Sequence, residues 1–413
     1  MPLLHPDAQS PAIGAPTNTR SSAPIQLSRV DIGWLTVVCG FAVATLYYNQ
    51  PMLPLMGHTF DRDASQVGWV ATLTQIGYAV GLVLFAPLGD RFDRRRLLTS
   101  LLTLNIAALL LCGGALTFPW LLTASGLVGV TSITAQVVIP AVSGMTDPSR
   151  RGKTVGTLLS GLFAGALLAR TLSGFVGEHL GWRLMYVLAA VFDLILLALV
   201  VWKLPRVAPT STLAWSRLVA SMWLLVRTEP LLREAAATGF LMFAAFNALW
   251  GSLASLLAEP PFHFGADVTG LFGLIGVVGM VASPTIGSMT DRFGGRVVGA
   301  FGAAVITIAF AAISAAASTV WILLVGVVLL DLGSRSGLVA NQTRLGALDP
   351  EARSRLNTVF MGCYFAGGAL GSAMGAAAGS RHGWPAVASV GAIFSLAALG
   401  TFIYNSRSSP KLS

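Results

Sequence analysis

The sequence predicts an all-α membrane protein of twelve transmembrane helices in two pseudo-symmetric six-helix bundles. Three observations predict it. Hydrophobic residues make up 54% of the 413 residues and charged residues only 10%, against about 25% charged in water-soluble domains. Such a chain cannot cover its outside with charge. Next, it carries twelve continuous apolar stretches, each close to the ~20 residues that span a bilayer as a helix. Finally, its second half repeats its first.

The stretches of the first half are Ile32–Met56, Val67–Leu88, Leu97–Thr117, Pro119–Val142, Thr154–Gly177 and Leu184–Leu204; those of the second are Ala235–Ala258, Thr269–Met289, Val297–Ala317, Thr319–Ala340, Leu356–Ala378 and Pro385–Tyr404. The runs are continuous rather than alternating, which argues against a barrel. The 45 glycines are spread through the spans, where small residues let helix backbones approach closely.

The repeat has a spacing of about 200 residues. Asp90-Arg91-Phe92 recurs as Asp291-Arg292-Phe293, Asp147-Pro148 as Asp349-Pro350, and Gly181-Trp182 as Gly383-Trp384. Each pair holds the same place in its half: after the second span, after the fourth, and before the sixth. An even number of helices per half makes the repeats parallel, related by an axis along the membrane normal.

A net charge of +9 suggests nucleic acid at first sight; its placement excludes that partner. Of the 26 Lys and Arg, all but five fall in the tails and the even-to-odd loops; Arg62, Arg183 and Arg381 lie in the opposite loops, and Arg170 and Arg335 lie within spans. The positive-inside rule then puts both termini in the cytoplasm of a multi-pass inner (plasma) membrane protein, its basic face toward anionic lipid headgroups. The expected organisation is a disordered cytoplasmic tail (1–29), an N-terminal bundle (30–204), a cytoplasmic linker (205–232), a C-terminal bundle (233–405) and a short cytoplasmic tail (406–413). In the linker, Leu213, Trp215, Leu218, Met222, Trp223 and Val226 with interspersed arginines predict an amphipathic helix on the membrane surface.

Cys39, Cys112 and Cys363 all fall within spans and have no zinc or disulfide spacing. No Walker loop, HExxH or GxSxG is present, so no enzyme and no cofactor is expected. His58, His179, His263 and His382 lie near the outer loops. An ionisable group inside a span is costly and functional by default. The reading places four there: Arg170, Asp193, Asp331 and Arg335. Asp331 and Arg335 are one helical turn apart and form a candidate pair; Arg170 and Asp193 form a second.

The turns after spans two and eight carry a known pattern. Gly287-Ser-Met-Thr-Asp291-Arg292-Phe293-Gly294-Gly295-Arg296, and its looser copy Ala86-Pro-Leu-Gly-Asp90-Arg91-Phe92-Asp93-Arg94-Arg95-Arg96, resemble the signature of the major facilitator superfamily. Span five adds Gly152, Gly161 and Gly165 at the spacing of that family's antiporter glycine motif, with Ala166 and Arg170 standing where the family has Pro and Gly. Leu46-Tyr47-Tyr48-Asn49-Gln50-Pro51, the segment Gly156–Gly174, Asp331-Leu-Gly and Asn341-Gln342 are similar to the bacterial drug/proton antiporter and sugar-efflux branch.

The resemblance implies a monomeric secondary transporter that works by alternating access and exports a small apolar or amphiphilic molecule in exchange for protons. An importer of a small neutral solute linked to protons and a non-transporting receptor are the alternatives. It also implies a latch at the cytoplasmic helix ends. There Asp90 and Asp291 accept hydrogen bonds from a neighbouring helix N-terminus, and Arg91, Arg94, Arg292 and Arg296 pair nearby. Spans one, four, seven and ten are expected to line the cavity, which makes Asp331 with Arg335 the proton-coupling candidates. Tyr48, Asn49, Gln50, Gln136, Asn247 and Trp250 are the substrate candidates, Tyr48 and Trp250 corresponding under the repeat. Tyr47, Gln75 and Asn105 are expected to hydrogen-bond between helices; Asn341 and Gln342, at the inner end of span ten, are further cavity candidates, with capping of the helix end as the alternative.

Overall fold

The computed structural model describes residues 28–146, 151–204, 215–315, 319–348 and 352–408. The Asp90 side chain, the two Asp-Pro pairs, residues 205–214 and most of both tails lie outside the described residues; Gly152 falls in the first turn of the helix Arg151–Leu180.

The described residues are helical apart from short turns. The first half contains six helices long and apolar enough to cross a membrane: Val30–Phe60, Ala64–Phe85, Arg94–Gly113, Phe118–Val142, Lys153–Leu180 and Trp182–Lys203. The second half contains Pro230–Ala258, Ala266–Phe293, Gly295–Ser314, Val320–Gly346 and a 53-residue stretch, Arg353–Asn405. At ~1.5 Å per residue that stretch is far longer than a ~30 Å hydrocarbon core. It divides at Gly383, whose φ of 64° and ψ of −150° leave the helical region. The chain therefore has twelve spans among the described residues. An even number puts both ends on one face, here called the terminal face; the opposite one is the far face.

The Gly-Trp repeat has a geometric cause. Gly181 turns the chain into span six with φ 90°, and Gly383 does the same for span twelve. A residue with a Cβ adopts neither conformation readily. The tryptophan after each glycine is buried. Trp182 packs on Phe60 at 5.9 Å, and Trp384 on Phe262 at 5.9 Å.

Three spans are interrupted, spans one and four near their middles and span seven about two turns before its far end. Span one turns at residues 45–48, because Pro51 lacks an N–H and its ring crowds the carbonyl four residues back. The backbone compensates with shorter i→i−3 bonds from Tyr47 to Ala44 and from Gln50 to Tyr47. Span four breaks at Ser132, whose hydroxyl, with that of Thr131, turns back to the preceding carbonyls, a bond that bends helices. Span seven breaks at Gly251–Ser252 in the same manner. The first two breaks meet where the Thr45 hydroxyl donates to Ser132 Oγ at 2.8 Å.

The linker helix, Trp215–Thr228, buries Leu218 and Met222 and leaves Trp223 and Leu224 exposed. It is tied to span two by the Trp215 indole N–H, which donates to the Leu84 carbonyl at 3.0 Å.

A charged cluster supports the terminal end of the second half. Glu234 on span seven is 8% exposed. It accepts from Arg296 at 2.8 Å and from Arg344 at 2.7 Å; Arg344 also reaches Asn341, which donates to Thr238. Sequence reading counted no glutamate within a span because it began span seven at Ala235, whereas the helix begins at Pro230. Asn341 is a partner inside the bundle, neither on the cavity wall nor a helix cap. Removing one member of a buried ion pair costs about 3–5 kcal/mol, and Arg296 is partly exposed, so the lower end applies. Glu234→Gln is expected to destabilise the protein by about 3 kcal/mol, read as a lowered melting temperature in detergent. An unchanged melting temperature would show the cluster to be dispensable.

Candidate functional site

Between the halves lies a cavity of about 820 Å³. Its walls come from spans one (Tyr47), four (Gln136), five (Arg170), seven (Trp250) and ten (Asp331), with spans eight and eleven completing them through Gly276 and Tyr364. The cavity runs to the terminal face, where Arg94, Gly346, Arg353 and Leu218 of the linker helix line it.

The far face is shut by a close approach of spans five and eight. A Cβ on Gly174 would overlap the Ala266 carbonyl oxygen, and one on Gly270 would lie 2.6 Å from the Arg170 carbonyl oxygen. Only glycine permits this contact. Polar bonds reinforce it: the Thr171 hydroxyl donates to the Gly270 carbonyl at 3.0 Å, and the Ala266 N–H at the start of span eight donates to Glu178 at 2.8 Å. Asp331 and Arg335 face the cavity from span ten, joined at 3.0 Å. The carboxylate lies against Gly279 of span eight, where a Cβ would collide with it. The Arg335 guanidinium rests over the Phe163 ring at 4.4 Å.

Arg170 is 4% exposed. Its guanidinium lies over the Tyr47 ring of one half, at 4.4 Å, and over the Trp250 ring of the other, at 4.2 Å. Its Nε donates to Gln50 Oε1 at 2.7 Å, and its Nη1 to the Ala166 carbonyl at 3.1 Å.

The expected Arg170–Asp193 ion pair is not formed. The two side chains leave the first bundle in different directions, Arg170 toward the cavity and Asp193 toward spans three and four. Asp193 accepts from Asn105 at 2.7 Å, and Asn105 accepts from Thr131 at 2.8 Å. The second carboxylate oxygen of Asp193 is buried without a partner among the described residues.

The substrate candidates divide. Gln136 and Trp250 are on the wall, and Gln50 reaches it through Arg170. Tyr48 and Asn49 are buried inside the first bundle, Asn49 donating to Thr74 at 3.0 Å. Asn247 is fully buried and accepts from Gln75 across the two halves at 3.4 Å. The aromatic facing Trp250 is therefore Tyr47 rather than Tyr48. One position along a helix turns a side chain by ~100°, and the break in span one decides which of the two faces inward. Of the two further candidates on span ten, Gln342 lines the cavity, whereas Asn341 is buried in the bundle. Sequence reading also missed Phe243, Phe246 and Tyr364, whose rings stack at 3.9 Å (Phe243–Tyr364) and 5.7 Å (Phe243–Phe246). Aromatics in spans carry no signal of their own to separate wall from packing.

The motif residues lie at the terminal face. Asp291 and Arg292 are exposed, Arg292 over the neighbouring Phe293 ring, as Arg91 lies over Phe92. Arg94 donates to the Gly89 carbonyl, and Arg296 belongs to the Glu234 cluster. The three ion pairs among the described residues all lie within the second half. Gly161 and Gly165 pack on Thr36 and Gly40 of span one, so their small size serves contact within the first bundle; the glycine that meets span eight is Gly174.

The sequence matches the Major Facilitator Superfamily over residues 34–328 and 235–413. It is 36% identical over 372 residues to the uncharacterized transporter YgaY of Escherichia coli O157:H7, covering 90% of this chain and 94% of that one. It is 32% identical over 376 residues to the Streptomyces coelicolor transporter SCO4007, covering 88% and 84%. The fold superimposes on the nucleoside transporter NupG with a TM-score of 0.72 at 13% identity, covering 90% of this chain and 99% of that one. It also superimposes on a bacterial homologue of the human lysosomal transporter Spinster with a TM-score of 0.73 at 15% identity, covering 92% and 96%. With the family covering nearly the whole chain, and a cavity set between two six-helix halves, this is a membrane transporter of the major facilitator superfamily and not an enzyme.

Proposed function

We propose that the chain is a proton-coupled exporter that takes a small amphiphilic molecule from the cytoplasm and releases it on the other side in exchange for protons. The observation that carries this reading is the cavity itself. It is shut at the far face and extends to the terminal face, and among the described residues it holds one carboxylate, Asp331, paired with Arg335. The terminal face is the cytoplasmic one by the charge distribution. Broken spans one, four and seven flank the cavity, as discontinuous helices flank binding sites in transporters. A proton and Arg335 compete for the Asp331 carboxylate, so protonation changes the charge that the cavity presents to cargo, which is the physical basis of coupling. The molecule works as a monomer, since each half supplies part of one cavity.

The test is a panel of amphiphilic toxins given to a host stripped of its own exporters. Expression of the chain is expected to lower the accumulation of at least one compound and raise tolerance to it. That compound, added outside proteoliposomes that trap a pH dye, should drive protons out as it enters. A proton flux in the same direction as the compound, or none, would sink the exchange reading.

A further inference from the structure

We infer that the cargo is an organic monoanion with an apolar body, and that Arg170 receives its charged end. The inference rests on the transport reading above and names the class of molecule carried. Arg170 is a buried cation whose hydrogen-bond partners are neutral: the Gln50 amide and the Ala166 carbonyl. Its Nη2 has no hydrogen-bond partner among the described residues, and no carboxylate there lies within ion-pair distance of it. Asp331, the acid on the cavity wall among the described residues, is engaged by Arg335. A buried charge without a counter-ion is costly, and an anion arriving in the cavity removes that cost. It forms a charge-assisted bond, about twice as strong as a neutral one.

The surroundings agree with this assignment. Among the described residues, five arginines and one aspartate line the cavity, with Arg353 and Arg355 near its mouth. A pathway walled by one sign of charge concentrates the opposite sign. The Tyr47 and Trp250 rings hold the guanidinium at 4.4 and 4.2 Å, and its Nη2 is the donor left for a carboxylate. Next to it, the Phe243, Phe246 and Tyr364 rings offer a flat apolar shelf for the rest of the molecule. One unpaired guanidinium matches one negative charge; a dianion would need a second.

The test is binding of three matched probes to the purified full chain in lipid nanodiscs by calorimetry at neutral pH: 2-naphthoate, 2-naphthamide and 2-naphthylmethylammonium. The carboxylate is expected to bind about tenfold or more tighter than the amide, the worth of one hydrogen bond to a charged group, and the ammonium weakest. Raising ionic strength should weaken the carboxylate and leave the amide unchanged. Arg170→Gln should collapse the ratio to about one while the amide still binds, which also shows that the variant is folded. Arg170→Lys should keep part of the preference. Equal binding of acid and amide, a preference for the ammonium, no naphthoate binding, or a preference that survives Arg170→Gln would each overturn the assignment. Naphthoate that binds but is not driven by a pH gradient in proteoliposomes would sink the exchange reading and leave the anion site standing.

Discussion

Asp331→Asn is expected to bring proton-driven transport down to the level of protein-free liposomes while cargo binding stays measurable. The carboxylate is 7% exposed, faces the cavity, and is held by Arg335 from one turn away and by the flat surface that Gly279 provides on span eight. An amide keeps the shape and removes the group that takes up a proton. Arg335 then rests on Phe163 without its counter-charge, so anionic cargo should bind no worse than before. Paired measurements separate the two effects: uptake driven by an imposed pH gradient, and binding in the absence of one. Asp331→Glu should recover part of the driven rate. Gly279→Ala should reduce it without touching the carboxylate chemically, because the new methyl displaces the acid. Driven uptake that survives in the asparagine variant would remove Asp331 from the coupling mechanism.

The second large effect is expected at the far face. Gly174→Val places a branched side chain where the Ala266 carbonyl now sits. Overpacking of this kind costs about 1–3 kcal/mol, and it acts only on the conformation in which spans five and eight touch. An equilibrium shifted by that amount changes about 5–150-fold. Spin labels at His179 and Asp267 should therefore report a longer separation in the variant, and turnover should fall by a similar factor. Glu178→Gln, which weakens one bond across the same seam but leaves the glycine contact, should give a smaller shift in the same direction. An unchanged label distance in Gly174→Val would mean that the seam does not control closure.

The architecture was legible in the sequence because the bilayer acts on whole stretches. Twenty apolar residues mark a span whatever they touch, and the duplicated Gly181-Trp182 and Gly383-Trp384 turns mark the same corner of each half because a positive φ admits little but glycine. The site was legible only in part. Asp331, Arg335 and Arg170 stand out because charge inside a membrane is rare enough to be noticed one residue at a time. Tyr47 and Tyr48 are chemically identical neighbours, and a helix break decides which one faces the cavity. Glu234 escaped because hydropathy begins a span where the apolar run begins, whereas the helix starts a turn earlier. Asp193 looked like the partner of Arg170 from their charges alone, but which neighbour a side chain finds is set by bundle packing, which no spacing along the chain encodes.

The paired interruptions of spans one and four divide the first bundle into an outer and an inner tier. Each of these helices is two short rods meeting at a joint, and the joints are fastened to each other at Thr45 and Ser132. Motion at the terminal face therefore need not be transmitted to the far face as the tilt of a stiff lever. Probes placed above and below the joint on one and the same helix should travel different distances during a transport cycle.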